Sequence, residues 1–317
     1  MPKDRLAYVV AALVVVAAVA AALLVRDDYT VKLMLWIATN ALLAACLRFV
    51  LLIGELNIAT AAFYGIGAYT AGAATTILQW PLLAALLAAA LVAGVVAAIF
   101  GFVTLRVKGP YFLLISFAFT EVVRLKYTQT NMIGGNSGMI GIFPPIAIEP
   151  YYPAIMIAVI GLVLIGLYAI ERSPLGMLFK AIKSNDQIVL SVGISVLAVK
   201  VVCVVIASAA VGLGGALYAH SNNVISPGDF GFLLTVFVLA YVKIGGEEHM
   251  VGAILGAAFL TLLSQYLLGI GAQERIFFGA AIIIAMLVMP QGLTGLALRI
   301  ARRLGWSGET ATLGQRK

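Results

Sequence analysis

The stretch LLAALLAAALVAGVVAAIFGFVTL, residues 82–105, carries no charged side chain over a length that matches a membrane crossing. In an α-helix, about 20 apolar residues span a hydrocarbon layer of about 30 Å. The chain contains many such blocks: 63% of its 317 residues are hydrophobic and only 10% are charged. Soluble domains carry roughly 25% charged residues. The sequence therefore predicts an all-α, polytopic bundle of transmembrane helices.

The number of apolar blocks predicts about ten crossings, or eight to nine where a block is re-entrant. The blocks are residues 6–25, 31–53, 58–78, 82–105, 111–126, 152–170, 198–219, 230–244, 250–269 and 275–290. Block 6–25 follows basic residues as a signal peptide would, but it lacks an A-x-A-like cleavage site, so we expect a retained helix. We expect one membrane domain over residues 1–295 and a basic tail over 296–317.

The Lys and Arg residues cluster in alternate loops, which is typical of cytoplasmic loops. With the N-terminus inside, loop 105–109, segment 171–200 and the tail are all cytoplasmic, as are both termini. The opposite loops, 127–151 and 220–229, then carry mainly Glu149, Asp229 and His220 as ionisable residues. We therefore attribute the net charge of +7 to membrane topology and not to a nucleic-acid partner.

Two hydrophilic segments are longer than simple turns. Residues 131–145, NMIGGNSGMIGIFPP, combine glycines with a double proline, which predicts a shaped loop. In residues 171–195, Ser173 and Pro174 resemble an N-cap followed by a first-turn proline. Leu175, Leu178, Phe179 and Ile182 follow at helical spacing and predict a short amphipathic helix along the membrane or against a partner.

Charged residues within apolar blocks are costly in a bilayer and usually face protein or water. Glu121 and Arg124 are three residues apart and are expected to pair on one helical face. Arg48 and Glu55 are seven apart and would share a face if their helix continues that far. Lys243 is expected to extend to the membrane interface. For all of them a structural role competes with a role in a pathway.

The stretch GELNIATAAFYGIGAYTAG, residues 54–72, mixes polar residues and glycines within an apolar region. It predicts a helix interrupted near Gly54 to Asn57, with Glu55, Asn57, Thr60 and Thr70 as candidate pathway groups. Small residues at 65, 67, 68 and 72 would allow close helix packing, as would GLGG at 212–215 and the GxxxG spacing at 252–256.

Motifs for independent chemistry are absent from the sequence. It contains neither a phosphate-binding GxxxxGK[ST] loop nor a zinc-binding HExxH motif, and we predict neither an enzyme nor a metal site. His220 and His249 fall in expected loops on opposite sides, and Asp229 is expected to cap a helix. Cys46 and Cys203 lie within apolar blocks and are expected to be packing residues.

Seven segments in order resemble the branched-chain amino acid permease family of bacterial ABC importers, from about residue 40 to 295. They are AAFYGIGAYTAG, LRVKGPYFLLISFAFTEVVRL, GGNSGMIGIFPP, RSPLGMLFKAIKSNDQIVLSVGI, GLGGALYAH, SPGDFGFLLTV and PQGLTG. Wider relatives of this family handle urea, simple amides, ribose-type sugars and nucleosides. The resemblance implies a permease subunit of an ATP-driven importer in the bacterial inner membrane.

The resemblance also implies the partners: a second, related permease chain, two cytoplasmic ATPases that use ATP, and a periplasmic solute-binding protein. The chain itself would need no cofactor. Residues 174–193 would form a coupling helix in a cleft of an ATPase, and loops 131–145 and 221–229 would receive the binding protein. The implied coupling residues are Arg172, Pro174, Leu175, Gly176, Phe179, Lys180, Lys183, Asp186 and Gly193. The implied docking residues are Gly134, Gly135, Asn136, Gly138, Ser226 and Pro227.

The chain departs from the family pattern where the pathway would lie. GELNIAT replaces a GQxSLGH-like run, Phe237 replaces a common glutamate, and Lys243 stands at a hydrophobic position. The candidate pathway residues are Glu55, Asn57, Thr60, Tyr64, Thr70, Phe237 and Lys243. The expected solutes are branched-chain or other amino acids, with urea or amides, sugars or nucleosides, and aromatic or organic acids as alternatives. In a different class, a secondary transporter or channel would use Glu55 and Asn57 as its ion site.

Overall fold

The computed structural model describes residues 2–25, 27–107 and 110–267, together with positions 279, 283, 292, 293 and 295. Apart from those isolated positions, the predicted crossing at 275–290 and the PQGLTG segment lie outside the described residues. The tail at 296–317 also lies outside them.

The described part of the chain is a helical bundle. Its helices are α1 (Pro2–Leu24), α2 (Asp28–Val50), α3 (Thr60–Thr76), α4 (Leu82–Thr104), α5 (Pro110–Gln129), α6 (Tyr152–Arg172), α7 (Pro174–Ser184), α8 (Asp186–Ser191), α9 (Val196–Asn222), α10 (Phe232–Gly245) and α11 (Met250–Leu267). Two short strands, β1 (Met139–Ile140) and β2 (Val224–Ile225), pair antiparallel. The predicted all-α class is confirmed.

Five described segments are long and apolar enough to cross a membrane. They are Asp28–Ile53, Leu82–Thr104, Glu149–Arg172, Val196–Asn222 and Met250–Leu267. Tyr8–Leu24 and Phe232–Gly245 are apolar but shorter. At 1.5 Å per residue, the 14 residues of α10 extend about 21 Å, less than the thickness of a hydrocarbon core. The predicted count of about ten crossings is therefore not confirmed.

The predicted interruption after α2 is confirmed. Helix α2 tightens into a 3₁₀ turn over Leu51–Ile53, and Gly54 then adopts a left-handed conformation with φ of +79°. A side chain at this φ would strain the backbone, which explains the glycine. Helix α3 begins only at Thr60, so residues 54–59 form a non-helical break, and Glu55 and Asn57 within it are buried.

Small residues allow α3 to pack directly against α9, as predicted. A Cβ atom at Gly67 would overlap the carbonyl oxygen of Gly212, and one at Gly215 would overlap that of Tyr64. The GxxxG spacing works in the same way between α10 and α11, where a Cβ at Gly256 would overlap the Tyr241 carbonyl oxygen. Close backbone approach of this kind is typical of helix pairs in membranes.

The bundle has two distinct ends, which α9 connects. Its 27 residues, Val196–Asn222, extend about 40 Å, with Lys200 near the interruption at one end and β2 just after the other end. We call the end that carries Arg48 and segment 171–195 the Arg48 end. The opposite end carries the β1–β2 ladder and residues 131–151 and 222–230, and we call it the hairpin end.

Candidate functional site

Four segments meet at one buried arginine at the Arg48 end. The Arg48 guanidinium, 2% exposed, pairs through both terminal nitrogens with the carboxylate of Glu171 at the end of α6, with Nη2 2.9 Å from Oε1. Its Nε and Nη2 donate to the carbonyl oxygens of Glu247 (3.0 Å) and Glu248 (2.7 Å), between α10 and α11. Lys180 of α7 reaches the same carboxylate, with Nζ 3.1 Å from Oε1.

This cluster differs from the expected one-face relation of Arg48 and Glu55. The 3₁₀ turn and Gly54 end the helix between the two residues, so they do not lie two turns apart on one face. A buried charge is tolerated only with partners that satisfy it, and Glu171 and two backbone carbonyls fill that role for Arg48. The arrangement fixes α2, α6, α7 and the α10–α11 connection relative to one another.

A second buried ion pair holds the break itself. Lys200 Nζ of α9 lies 2.6 Å from Glu55 Oε1, and both side chains are 9% exposed. The sequence placed Lys200 in a cytoplasmic loop, which is wrong: α9 begins at Val196, and Lys200 points inward from its second turn. The predicted pathway carboxylate is therefore already neutralised by a lysine.

The backbone groups exposed by the break are satisfied by side chains. Asn57 Oδ1 accepts the N–H of Ala59 (3.0 Å), and the Thr60 hydroxyl donates to the Asn57 carbonyl (2.9 Å). The Ile58 carbonyl accepts from the hydroxyls of Thr235 in α10 (2.9 Å) and Thr120 in α5 (3.3 Å). Non-helical backbone at membrane depth requires such internal partners. Side chains of α3, α5 and α10 therefore stabilise the backbone of the break.

The structure brings only part of the predicted pathway set together. Glu55, Asn57, Thr60 and Tyr64 are all buried at or just after the break. Thr70 lies partly exposed further along α3, and Phe237 is half-buried on α10. The Lys243 side chain is 50% exposed and pairs with Glu247, so it lies apart from the buried group.

Helix α7 turns back sharply from α6 and packs on the bundle. A Cβ at Gly176 would overlap the carbonyl oxygen of Glu171, so only glycine fits this junction. Phe179 is fully buried, with its ring centroid 5.7 Å from that of Phe49 in an edge-on contact, and Ile182 is also buried. The Lys183 side chain lies beside Gly54. The predicted amphipathic helix is confirmed, and Pro174 stands at its start as predicted, although Ser173 makes no side-chain cap.

The apolar stripe of α7 thus contacts its own chain, which corrects the expectation that a partner covers it. Only Leu175 of the stripe is exposed, at 36%. The surface that segment 171–195 leaves exposed includes Met177, Lys180, Ala181, Ile188 and Val192. Of the other implied coupling residues, Arg172 lies over the Tyr168 ring, Asp186 starts α8, and Gly193 follows α8 with φ of +82° in open space.

At the hairpin end, the two predicted docking loops are joined. Strand β1 from residues 131–145 pairs with β2, Met139 opposite Ile225 and Ile140 opposite Val224. Gly134 and Gly138 have positive φ, and a Cβ at either would overlap a backbone carbonyl oxygen. Gly135 is buried and Asn136 exposed in the same loop. These contacts give the loop one fixed shape, as predicted.

The second loop begins with a reciprocal cap. The Ser226 hydroxyl accepts the Gly228 N–H (3.2 Å), and the Asp229 carboxylate accepts the Ser226 N–H (2.9 Å). Asp229 is thus a capping residue, as predicted, and Pro227 stands at the first position of this turn. The turn ends at Phe230, which points into the bundle and is fully buried against Gly65.

Phe230 lies among four tyrosines. Its ring centroid is 5.7 Å from those of Tyr64 and Tyr69, 6.4 Å from that of Tyr127 and 6.5 Å from that of Tyr218. Within the described part of the chain, the buried hydroxyls of Tyr64, Tyr69 and Tyr127 have no hydrogen-bond partner. The turn at residues 226–230 is therefore in direct contact with α3 at Tyr64, four residues beyond Thr60.

Two further predictions concern single side chains. Glu121 and Arg124 pair as predicted, with Arg124 Nε 2.8 Å from Glu121 Oε2. The loop position expected for His220 is wrong: it lies in the last turn of α9, buried, with Nδ1 2.9 Å from the Ala216 carbonyl oxygen and Nε2 3.2 Å from Thr75 Oγ1. Cys46 and Cys203 are buried and unpaired.

Glu171, Lys200, Thr120 and Thr235 were not predicted as site residues. Glu171 and Lys200 lie at opposite limits of segment 171–200, which was expected to be cytoplasmic. Thr120 and Thr235 each interrupt an apolar block with a single hydroxyl, which was the available signal.

A model of the family described as branched-chain amino acid transport system, permease component, matches residues 29–286. The chain is also similar to the high-affinity branched-chain amino acid transport system permease protein LivM of Salmonella typhimurium strain LT2 and of Escherichia coli strain K12. Each is 26% identical over 270 residues, which cover 76% of this chain and 64% of the relative. The chain thus spans less than two thirds of the length of these relatives. No solved structure matches it.

Proposed function

Because the chain belongs to the family of branched-chain amino acid transport system permease components, we propose that it is the membrane-spanning permease subunit of an ATP-driven importer. One observation supports the proposal beyond the family: segment 171–195 is held by the buried Arg48–Glu171 ion pair and by packing of Phe179 on Phe49, and its Lys183 lies beside Gly54 at the break between α2 and α3. A chain built this way can transmit movement of a surface segment to an interrupted helix inside the membrane.

Coupling would start at the exposed surface of segment 171–195. Two ATPase subunits in the cytoplasm would bind the Arg48 end, with one of them contacting Met177, Ala181, Ile188 and Val192. Because Phe179 packs on Phe49 and Lys180 shares Glu171 with Arg48, α7 cannot move without the end of α2. Helix α9 would move together with the end of α2, because Lys200 of α9 is paired with Glu55 in the break.

The hairpin end would face the periplasm and receive a solute-binding protein. Pairing of β1 with β2 makes the two docking loops one surface, and Phe230 connects that surface to Tyr64 of α3. Docking near Ser226 and Pro227 would therefore act on α3 from one end while ATPases act on the break from the other. A second, related permease chain would complete the path across the membrane.

For the solute we propose branched-chain or other small amino acids. The similarity to the two LivM proteins, which belong to branched-chain amino acid transport systems, supports this class. Glu55, Asn57 and Thr60, at and just after the break, lie in GELNIAT, where the family resemblance implies a GQxSLGH-like run, and solute choice in such importers would rest largely with the binding protein. A thermal-shift screen of the partner binding protein over amino acids, amides, sugars and aromatic acids would identify the class.

A secondary transporter would need a carboxylate free to bind an ion or a proton at this depth. Glu55 was the only candidate in the sequence, and it is paired with Lys200 at 2.6 Å. This ion pair disfavours the secondary-transporter alternative.

The test of the importer class is uptake of radiolabelled solute into proteoliposomes that contain both permease chains and the ATPases, with binding protein outside. We expect solute to accumulate with ATP inside and to stop accumulating when the ATPase carries an inactivating substitution. Equal uptake with active and inactive ATPase would contradict the proposal and would indicate a self-sufficient carrier.

Ala181→Glu is expected to reduce ATP-driven uptake by about tenfold or more without unfolding the chain. Ala181 is exposed on α7, so the added carboxylate costs the fold little, but it would stand unpaired in the contact with an ATPase. The measurement is uptake together with the amount of ATPase that co-purifies. Ala147→Glu, exposed at the hairpin end, is the matched control and should leave ATPase association intact. Full uptake and ATPase association in Ala181→Glu would show that this surface is not the contact.

A further inference from the structure

A polar groove runs between three helices at a distance from the break. It encloses about 230 Å³ and is lined by Trp36 and Asn40 of α2, Tyr241 of α10, and Thr261, Ser264 and Gln265 of α11. Drug-sized ligand sites are larger, about 300–1,000 Å³, so this groove has room for a small solute only. None of these residues was singled out from the sequence.

The groove offers hydrogen-bonding groups that the chain does not use. Asn40 Nδ2 donates to Thr261 Oγ1 at 2.9 Å, which holds the amide of Asn40 at the groove wall. Within the described ranges, the side chains of Ser264 and Gln265 form no hydrogen bond, and the carbonyl oxygen of the Asn40 amide accepts none. Asn40, Ser264 and Gln265 are all partly exposed, so these groups are open to whatever fills the groove.

The groove lies along two membrane-spanning helices, so its open hydrogen-bonding groups are within the membrane. Asn40 is 12 residues from the start of α2 and Thr261 is 11 from the start of α11, so each lies about 16–18 Å along a membrane-spanning helix. That distance is close to the middle of a hydrocarbon core of about 30 Å. Ser264 and Gln265 lie about one turn beyond Thr261, 14 and 15 residues from the start of the 18-residue α11. Polar groups without partners are costly in lipid, so these open groups within a membrane-spanning helix indicate water or a polar solute in the groove.

The lining also limits the chemistry of that solute. Among the described residues, the lining has amide and hydroxyl groups that can donate and accept, one indole face, and no charged side chain. A solute with net charge would have no counter-charge here and would keep its full desolvation cost. A zwitterionic amino acid with an apolar side chain carries no net charge, and the amide and hydroxyl groups can donate to its carboxylate and accept from its ammonium group while its side chain packs on the Trp36 ring.

We propose that the polar groove is a mid-membrane binding site for the transported solute, which Asn40, Ser264 and Gln265 bind by hydrogen bonds. This inference rests on the proposed transport function and names a site within it, separate from Glu55 and Asn57. The site would hold the solute after its release from the binding protein, at an affinity low enough to let it leave.

Trp36 provides a direct test of binding in the full chain. Trp80→Phe and Trp306→Phe would leave Trp36 as the sole tryptophan. Titration of this purified chain with leucine should change Trp36 emission saturably, and Gln265→Leu should weaken the apparent affinity by about three- to tenfold, the effect of one hydrogen bond. The absence of a saturable change with leucine, or an unchanged affinity in Gln265→Leu, would overturn the proposal.

Uptake in the complete transporter provides the second measurement. Gln265→Leu and Asn40→Leu should lower the maximal rate of leucine uptake by about three- to tenfold, while ATPase association and ATP hydrolysis without binding protein stay unchanged. Gln265 has no hydrogen-bond partner among the described residues, so its replacement tests the groove even if Asn40→Leu weakens α2 packing. Leu262→Ala, exposed on the same helix but outside the groove, is the control and should retain full uptake.

The outcomes distinguish a failure of the proposed binding site from a failure of the proposed transport function. Normal uptake in both groove variants would overturn the site while leaving the importer intact, and loss of the second permease chain from Gln265→Leu would show that the groove binds that chain instead. If unaltered protein shows no ATP-dependent uptake, the proposed function fails, and the Trp36 titration still decides whether the groove binds solute.

Discussion

Replacing Arg48 with methionine is expected to lower the free energy of unfolding of the bundle by about 3–5 kcal/mol, which is the cost of breaking a buried ion pair from one side. Glu171 would keep only Lys180, whose side chain is 51% exposed, and the carbonyls of Glu247 and Glu248 would lose their donor. The measurement is the fraction of the purified permease that stays monodisperse after heating in detergent.

Two further variants make this prediction specific to the buried pair. Arg48→Met combined with Glu171→Met should recover part of the loss, because a buried pair replaced by apolar side chains is far less damaging than one broken from one side. Lys243→Met breaks an exposed pair with Glu247 and should cost less than about 1 kcal/mol. If Arg48→Met is as stable as Lys243→Met, Arg48 does not hold the four segments together.

Gly67→Val is expected to prevent α3 and α9 from packing and to destabilise the fold by about 3 kcal/mol or more, at the upper end of overpacking effects. The new Cβ would overlap the Gly212 carbonyl oxygen, and backbone cannot move aside as a side chain can. The helices would have to separate along the whole contact, which also includes Gly215 against Tyr64. The measurement is the amount of folded permease in the membrane and its melting temperature.

Gly166→Val is the matched control for this change. Gly166 is also a helical glycine, in α6, but no atom of the described residues lies within 4 Å of a Cβ built there. The variant should therefore fold and melt at least as well as the unaltered chain, since valine has a somewhat better helix propensity than glycine. Equal folding of Gly67→Val and Gly166→Val would contradict the close packing of α3 on α9.

The features that could be predicted from the sequence are those with a local cause. The length of apolar blocks indicated transmembrane helices, Gly54 and the polar residues after it indicated the interruption, and Ser173 with Pro174 indicated the start of α7. The pair Glu121 and Arg124 could also be predicted, because three residues on a helix fix their relation. Each of these predictions needs only neighbours in the chain.

The charge partners could not be predicted, because they depend on how the helices pack. Arg48 and Glu171 are 123 residues apart, and Glu55 and Lys200 are 145 apart. No periodicity relates such positions, and Glu55 was therefore assigned to Arg48 or to a solute. The polar groove was missed for the same reason: Asn40 and Gln265 are ordinary single polar residues until α2 and α11 lie side by side.

Site-directed cross-linking can show whether ATPases act at the Arg48 end and a binding protein at the hairpin end. The native cysteines, Cys46 and Cys203, are buried, so a single cysteine introduced at exposed Ala181 or Ala147 can carry the reagent. We expect the Ala181→Cys variant to capture an ATPase subunit and the Ala147→Cys variant to capture the solute-binding protein. Capture of the binding protein from position 181, or of neither partner in a complex that still transports, would contradict this expectation.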